Sequence, residues 1–240
     1  MLRLSAIRHS FQDSEVLAGV DALVKPGWVT CVVGPSGCGK STLLRIAGGL
    51  ITPDAGKVDN QLGLSAFVFQ TPRLLPWRCV SDNVHLGTRD VVRRQRGAEL
   101  LDFMGLGDVG GCYPHQLSGG MQQRVAVARA FATDARLLLL DEPFAALDPQ
   151  RRSALQGVLR QLCRERSAAA LFVTHDIPEA ARIADRIIVL GDQPTISIEV
   201  IDPPAVTLDD ASAYARAAEL LRRPSLQRAF ATNPEVETDP

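Results

Sequence analysis

Lysine is nearly missing from this 240-residue chain: Lys25, Lys40 and Lys57 stand against 23 arginines. Where arginine fills almost every cationic position, each remaining lysine asks for a chemical reason. A charge excess is lacking as well. The formal net charge is -1, with acidic and basic residues interspersed, which removes any general electrostatic drive toward nucleic acid or an anionic membrane surface. Long apolar runs are absent: LLLL at 137–140 and AAALFV at 168–173 fall far short of the ~20 residues a membrane span requires. The opening residues MLRLSAIRHSFQ contain no apolar signal core, so a chain that is soluble by itself is expected. Cysteine is sparse and odd in number. Cys31, Cys38, Cys79, Cys112 and Cys163 form no CxxC pair and join no histidine cluster at zinc-like spacing, which speaks against a disulfide framework or structural metal and suits a reducing cytosol.

What is present is a large apolar fraction, 46% of residues, enough for one large domain or two small ones with a sizeable core. Short runs rich in branched residues at 28–33, 65–69, 136–140, 169–173 and 186–190 predict buried strands. Helical patterns alternate with them. Over 153–166, Leu155, Val158, Leu159, Leu162 and Cys163 share one face, with Arg160, Arg164 and Arg166 off it, an amphipathic helix. Strand, helix, strand implies an α/β fold with a parallel sheet covered on both faces. The first 27 residues differ, because two apolar stretches flank the polar turn QDSE at 12–15 and predict an antiparallel pair. TISIEVI at 195–201, after GDQP, predicts a second hairpin arm. Between Pro72 and Thr133 strand signals vanish in favour of helical ones. Past Pro203 and Pro204, residues 209–223 predict one amphipathic helix and residues 233–240 a frayed acidic tail.

Residues 34–42 read GPSGCGKST, and their first eight match G-x-x-x-x-G-K-[ST], a loop whose backbone N–H groups wrap phosphate oxygens. A chance match has odds on the order of one in 500. The scarcity of lysine is answered here. A compact ammonium can thread a tight loop toward phosphate, and a broad planar guanidinium cannot. Gly34, Pro35, Ser36, Gly37, Cys38, Gly39, Lys40, Ser41 and Thr42 are therefore assigned to ATP. Alkylation of Cys38, beside Lys40 and a helix start, is expected to block nucleotide binding.

Ligands of open α/β sheets bind beyond the carboxyl ends of strands. Gly34, Gln70, the Asp141–Glu142 pair and His175 all follow predicted strands and are taken as one site. Adjacent carboxylates leaving a strand point in different directions, so Asp141 is assigned to a magnesium shell with Ser41 and Gln70, and Glu142 to the general base. His175 contacts the γ-phosphate or steadies the water, and Asp176 with Glu179 starts a helix behind it.

LSGGMQQR at 117–124 opens a further helix. The order GPSGCGKST, FVFQ, LSGGMQQR, LLLLDEP, ALD, VTHD resembles the ATP-binding cassette (ABC) proteins, from about Leu2 to about Ile201. The resemblance implies a P-loop NTPase with a RecA-like parallel sheet core, an N-terminal antiparallel β subdomain and a helical insertion subdomain at about 72–133. An ATPase domain would occupy residues 1–205, with a C-terminal helix and tail at 206–240. It further implies a homodimer, head to tail, in which Ser118, Gly119, Gly120 and Asp148 serve the partner's ATP. Phe11 matches the adenine-stacking aromatic, with core packing as its alternative. Leu74, Leu75, Pro76 and Trp77 match the surface that receives a membrane permease, with core packing again the alternative for Trp77. Their LLPW form looks like the nitrate, sulfonate and taurine importers, although residues 56–67 are shorter than usual there and GDQPTISIEV replaces a commoner turn. The implied protein is an ATP- and Mg²⁺-dependent importer subunit, peripheral on the cytoplasmic face of the inner membrane, paired with a permease and indirectly with a solute-binding protein, and with no nucleic acid. A non-transport ABC ATPase is the competing reading.

Overall fold

The computed structural model describes every residue except 13, 87–89, 146, 192–193, 203–209 and 232–240. β1 (Leu2–Phe11) buries Leu2, Leu4, Ile7 and His9. The two-residue period skips once because Ala6, at φ 47°, forms a bulge. β2 (Ser14–Val24) returns antiparallel to it, as the sequence predicts. β3 (Val29–Val33) is buried at all five positions and leads through residues 34–39 into α1 (Lys40–Ala47). The chain then goes back to the first sheet as β4 (Ala55–Asn60), antiparallel on the other edge of β1. That strand was not predicted. AGKVDN is mostly exposed and carries no apolar alternation, so pairing with β1 alone makes it a strand.

β5 (Ser65–Val68) begins the run of parallel strands. Between it and β6 (Leu137–Asp141) the described residues contain no strand; they form α2 (Val80–Val84), α3 (Val91–Phe103) and α4 (Gly119–Ala132), which pack on one another. There follow α5 (Pro149–Arg166), β7 (Ala169–Val173), α6 (Ile177–Ile183), β8 (Arg186–Leu190) and β9 (Ser197–Ile201). The large sheet has the order β5-β6-β7-β3-β8-β9, parallel except for β9, the predicted hairpin arm. The four strands expected to carry phosphate-facing groups are thus consecutive neighbours. Each buried strand feeds two cores: Val29, Cys31 and Val33 face the one containing α4, α5 and α6, while Val32 faces the one containing α1, β1 and β2. Burial on both faces is why these strands read as continuous apolar runs.

Two expectations need correction. Arg160 does not sit apart from the packed face of α5: it donates to the carbonyls of Arg182 and Ile183 at 3.3 and 3.1 Å and lies 3.6 Å from Asp185. A long cation satisfies the open C-terminal carbonyls of α6 while burying its stem. The C-terminal segment holds two helices rather than one, α7 (Asp210–Leu221) and α8 (Pro224–Ala231), because Pro224 cannot continue α7 but is preorganised to begin a new helix. Pro203, Pro204 and the acidic tail lie outside the described residues.

Candidate nucleotide site

The loop between β3 and α1 is shaped by its glycines. A Cβ on Gly34 would come within 2.8 Å of both Cys38 Sγ and Leu190 O, and Gly39, at φ 91°, would meet Val16 and Leu17 side chains at 2.9 Å. Lys40 opens α1 and is only 6% exposed. Its Nζ folds back over the loop, donating to Gly34 O at 2.9 Å and Pro35 O at 2.7 Å. Both contacts can be exchanged for anionic oxygens, which hold an ammonium more strongly than carbonyls do. Cys38 departs from expectation. It is 2% exposed, its sulfur tucked beneath the loop toward Gly34, so alkylation from solvent has no accessible target and the predicted block is withdrawn.

At the end of β6 the two carboxylates diverge. Ser41 Oγ donates to Asp141 Oδ1 at 2.9 Å. Burial pushes the Asp141 carboxyl up, opposed by the Ser41 hydroxyl and the charge of Arg45. Glu142 leaves the strand at φ 45° with its N–H bonded to Val173 O at 3.0 Å, so its side chain turns away from Asp141. Glu142 Oε1 lies 2.9 Å from His175 Nδ1; an ionised Glu142 therefore favours the tautomer with its proton on Nδ1. A cleft of about 360 Å³ brings together Phe11, Ser36, Gly37, Gly39, Lys40, Ser41, Thr42, Gln70 and Glu142. Phe11 stands at its mouth, 47% exposed, edge-on to His9 with 4.7 Å between ring centroids. Its core alternative is excluded.

Ser118 and Asp148 do not line this cleft. Ser118 caps α4, accepting from Met121 N at 3.3 Å, beside exposed Gly119. Asp148 caps α5 through Arg151 N at 3.0 Å, and that amide, with the Arg151 guanidinium, holds its carboxyl below the usual range. Leu74 packs on the core and Leu75 is half-buried, whereas Trp77 is 71% exposed, which excludes its core alternative too.

Sequence reasoning missed Asn83. Fully buried, it accepts from Leu75 N at 2.8 Å and donates to the carbonyls of Leu75, Arg78 and Cys79 at 3.1, 3.0 and 3.1 Å. The available signal was an amide between Val80 and Val84, the two valines that α2 buries. Asp176 caps α6 through Glu179 N at 3.0 Å, as expected. Glu179 itself is buried against Gln156. Desolvation pushes its carboxyl up, with hydrogen bonds from Thr174 and Gln156 pulling the other way. The folded chain therefore holds this proton more tightly than the unfolded chain, and the group's stabilising contribution is lost as pH rises through the raised value. Glu179→Gln should melt above the wild type at about pH 8, with the gap closing toward about pH 4, as thermal scans across pH would show.

Comparison with known proteins agrees with this geometry. The sequence profile of the ABC transporter family matches residues 17–145. The chain is 47% identical over 197 residues to the aliphatic sulfonates import ATP-binding protein SsuB 1 of Rhodococcus jostii, covering 80% of each. It is 46% identical over 196 residues to SsuB 2 of Xanthomonas axonopodis, covering 79% of this chain and 67% of that one. Among solved structures, a dimeric post-hydrolysis state of an ATP-binding cassette bound to ADP and Pi superposes with a TM-score of 0.75 at 31% identity, covering 84% of this chain and 98% of the other. A profile spanning more than half of the sequence, and relatives this similar across four fifths of it, place the chain in the ABC transporter family as one of its ATP-hydrolysing cassettes.

Proposed function

We propose that this chain is the ATPase subunit of an importer for a small anionic solute of the sulfonate class. The observation that carries the reading is that Ser41 and Glu142 line one cleft, each 2.9 Å from a further polar group, Asp141 for Ser41 and His175 for Glu142. They support a reading in which a hydroxyl and carboxylate hold magnesium and a neighbouring carboxylate accepts a proton. Ser41, Asp141 and Gln70 offer the oxygen ligands Mg²⁺ prefers. When bound, the ion neutralises charge on the phosphates; the remaining work falls to the chain. Lys40 exchanges its loop carbonyls for phosphate oxygens, and the loop amides bind the rest. Phe11 offers an exposed ring face to adenine. Glu142 accepts the proton of the attacking water, and His175 keeps Glu142 aimed.

Ser118, Gly119, Gly120 and Asp148 lie outside the chain's own cleft, and in this reading they complete a partner's, giving a head-to-tail homodimer. Residues 1–205 act as the ATPase domain, with the helical subdomain at about 72–133 presenting Leu74 to Trp77 to a permease. The sulfonate class comes from the relatives' names, and a solute-binding protein would do the selecting outside while this chain handles ATP at the inner face of the membrane. Trp77→Glu should retain ATP binding and lose association with integral membrane subunits, because it replaces a solvent-facing indole, 71% exposed before assembly, with a charge. Affinity purification from native membranes checks this. Recovery of the wild type with ribosomes or DNA instead of membrane subunits would favour a non-transport ATPase.

A further inference from the structure

Residues 69–79, from the cleft to the exposed tryptophan, contain no helix or strand, so their backbone groups must find partners elsewhere. Immediately before Gln70, the carbonyl of Phe69 accepts from Gln123 Nε2 at 3.3 Å. Just after it, the carbonyls of Pro72 and Arg73 accept from Arg129 Nη2 and Nη1 at 3.1 and 3.0 Å. Gln123 and Arg129 both belong to α4, the helix capped by Ser118. Beyond them Asn83 of α2 secures residues 75, 78 and 79. Gln70 is thus gripped on either flank by one helix.

We infer that Arg129, assisted by Gln123, is a positioning residue that makes α4 and the segment from Gln70 to Trp77 one mechanical unit, so that movement of α4 on nucleotide binding reaches Trp77. The inference rests on the proposed function. Arg129 is partly desolvated, which lowers its pKa, and no carboxylate pairs with it among the described residues. Its recorded partners are two successive loop carbonyls, a geometry that the planar fork spans and an ammonium does not. The segment it holds is unrelaxed. Arg73 sits at φ 46° with its guanidinium 4.2 Å over the Phe69 ring, and Phe69 stacks on Phe67 at 4.1 Å. A non-glycine residue in this region is strained and persists where its surroundings impose it. Arg129 reaches the backbone of the kink itself, at the carbonyl of Arg73.

The chain has two tryptophans, Trp28 and Trp77, so Trp28→Phe leaves Trp77 as the sole tryptophan, read by excitation at the red edge where tyrosine does not absorb. In that parent, ATP with magnesium should change Trp77 emission saturably. Adding Arg129→Met should keep ATP affinity within about threefold, by competition against a fluorescent nucleotide, yet remove most of the emission change, with Arg129→Lys intermediate. If Arg129→Met does not fold, as judged by loss of ATP binding, Arg129→Lys decides: it must lose at least half of the response. A full emission change in either variant overturns the inference, and so does a parent that binds ATP while Trp77 stays silent. A parent with no ATP affinity overturns the proposed function itself, and this inference with it.

Discussion

Glu142→Gln is expected to slow ATP turnover by about 10²- to 10⁴-fold while leaving ATP binding intact. The substitution keeps size, and its carbonyl oxygen can still accept from His175 Nδ1, now 2.9 Å from Oε1. The backbone strain at φ 45° is the same for either residue. The Ser41–Asp141 contact does not involve residue 142, so that side of the cleft stays as it is. What disappears is the capacity to accept a proton from water. Phosphate release under single-turnover conditions, set beside equilibrium ATP binding, separates the two effects. Turnover within a few-fold of the wild type would take Glu142 out of the chemistry.

Lys40→Ala should weaken ATP binding about 100-fold or more, since each charge-assisted hydrogen bond contributes roughly 1.5–3 kcal/mol and the ammonium can donate at least two to phosphate oxygens. The telling variant is Lys40→Arg, which keeps the charge. At 6% exposure, with Nζ 2.9 and 2.7 Å from two carbonyls, the loop has no room for a wider planar head. Arginine should therefore bind ATP about as poorly as alanine. Both variants leave Gly34 O and Pro35 O without this donor and should melt lower than the wild type, so affinity has to be measured by calorimetry below the melting transition. Wild-type affinity in Lys40→Arg would refute the argument from shape.

Much of the site was legible because its motifs are local. The loop from Gly34 to Thr42, the Asp141–Glu142 pair and His175 each occupy a few residues, and backbone geometry over such a span follows from residue type. The buried strands were legible for a related reason, since a strand covered on both faces has to be apolar throughout. β4 escaped notice because its side chains record nothing of its pairing with β1. Asn83 and Arg129 escaped because an isolated amide or guanidinium in a helix looks the same whether it faces solvent or, as here, the carbonyls of a loop.

By itself, the sequence determined the candidate groups: a G-x-x-x-x-G-K-S loop holding one of three lysines, paired carboxylates at a strand end, and a second glycine motif starting another helix. Only the tertiary structure decided which of these meet. It made β5, β6, β7 and β3 neighbours, turned the Cys38 thiol inward, left Phe11 and Trp77 exposed, and set Ser118 and Asp148 away from the chain's own cleft. The physical reason is range. Residue type and spacing govern dihedral angles and charge over a few positions, whereas burial and partnership depend on which distant segments the sheet order brings into contact.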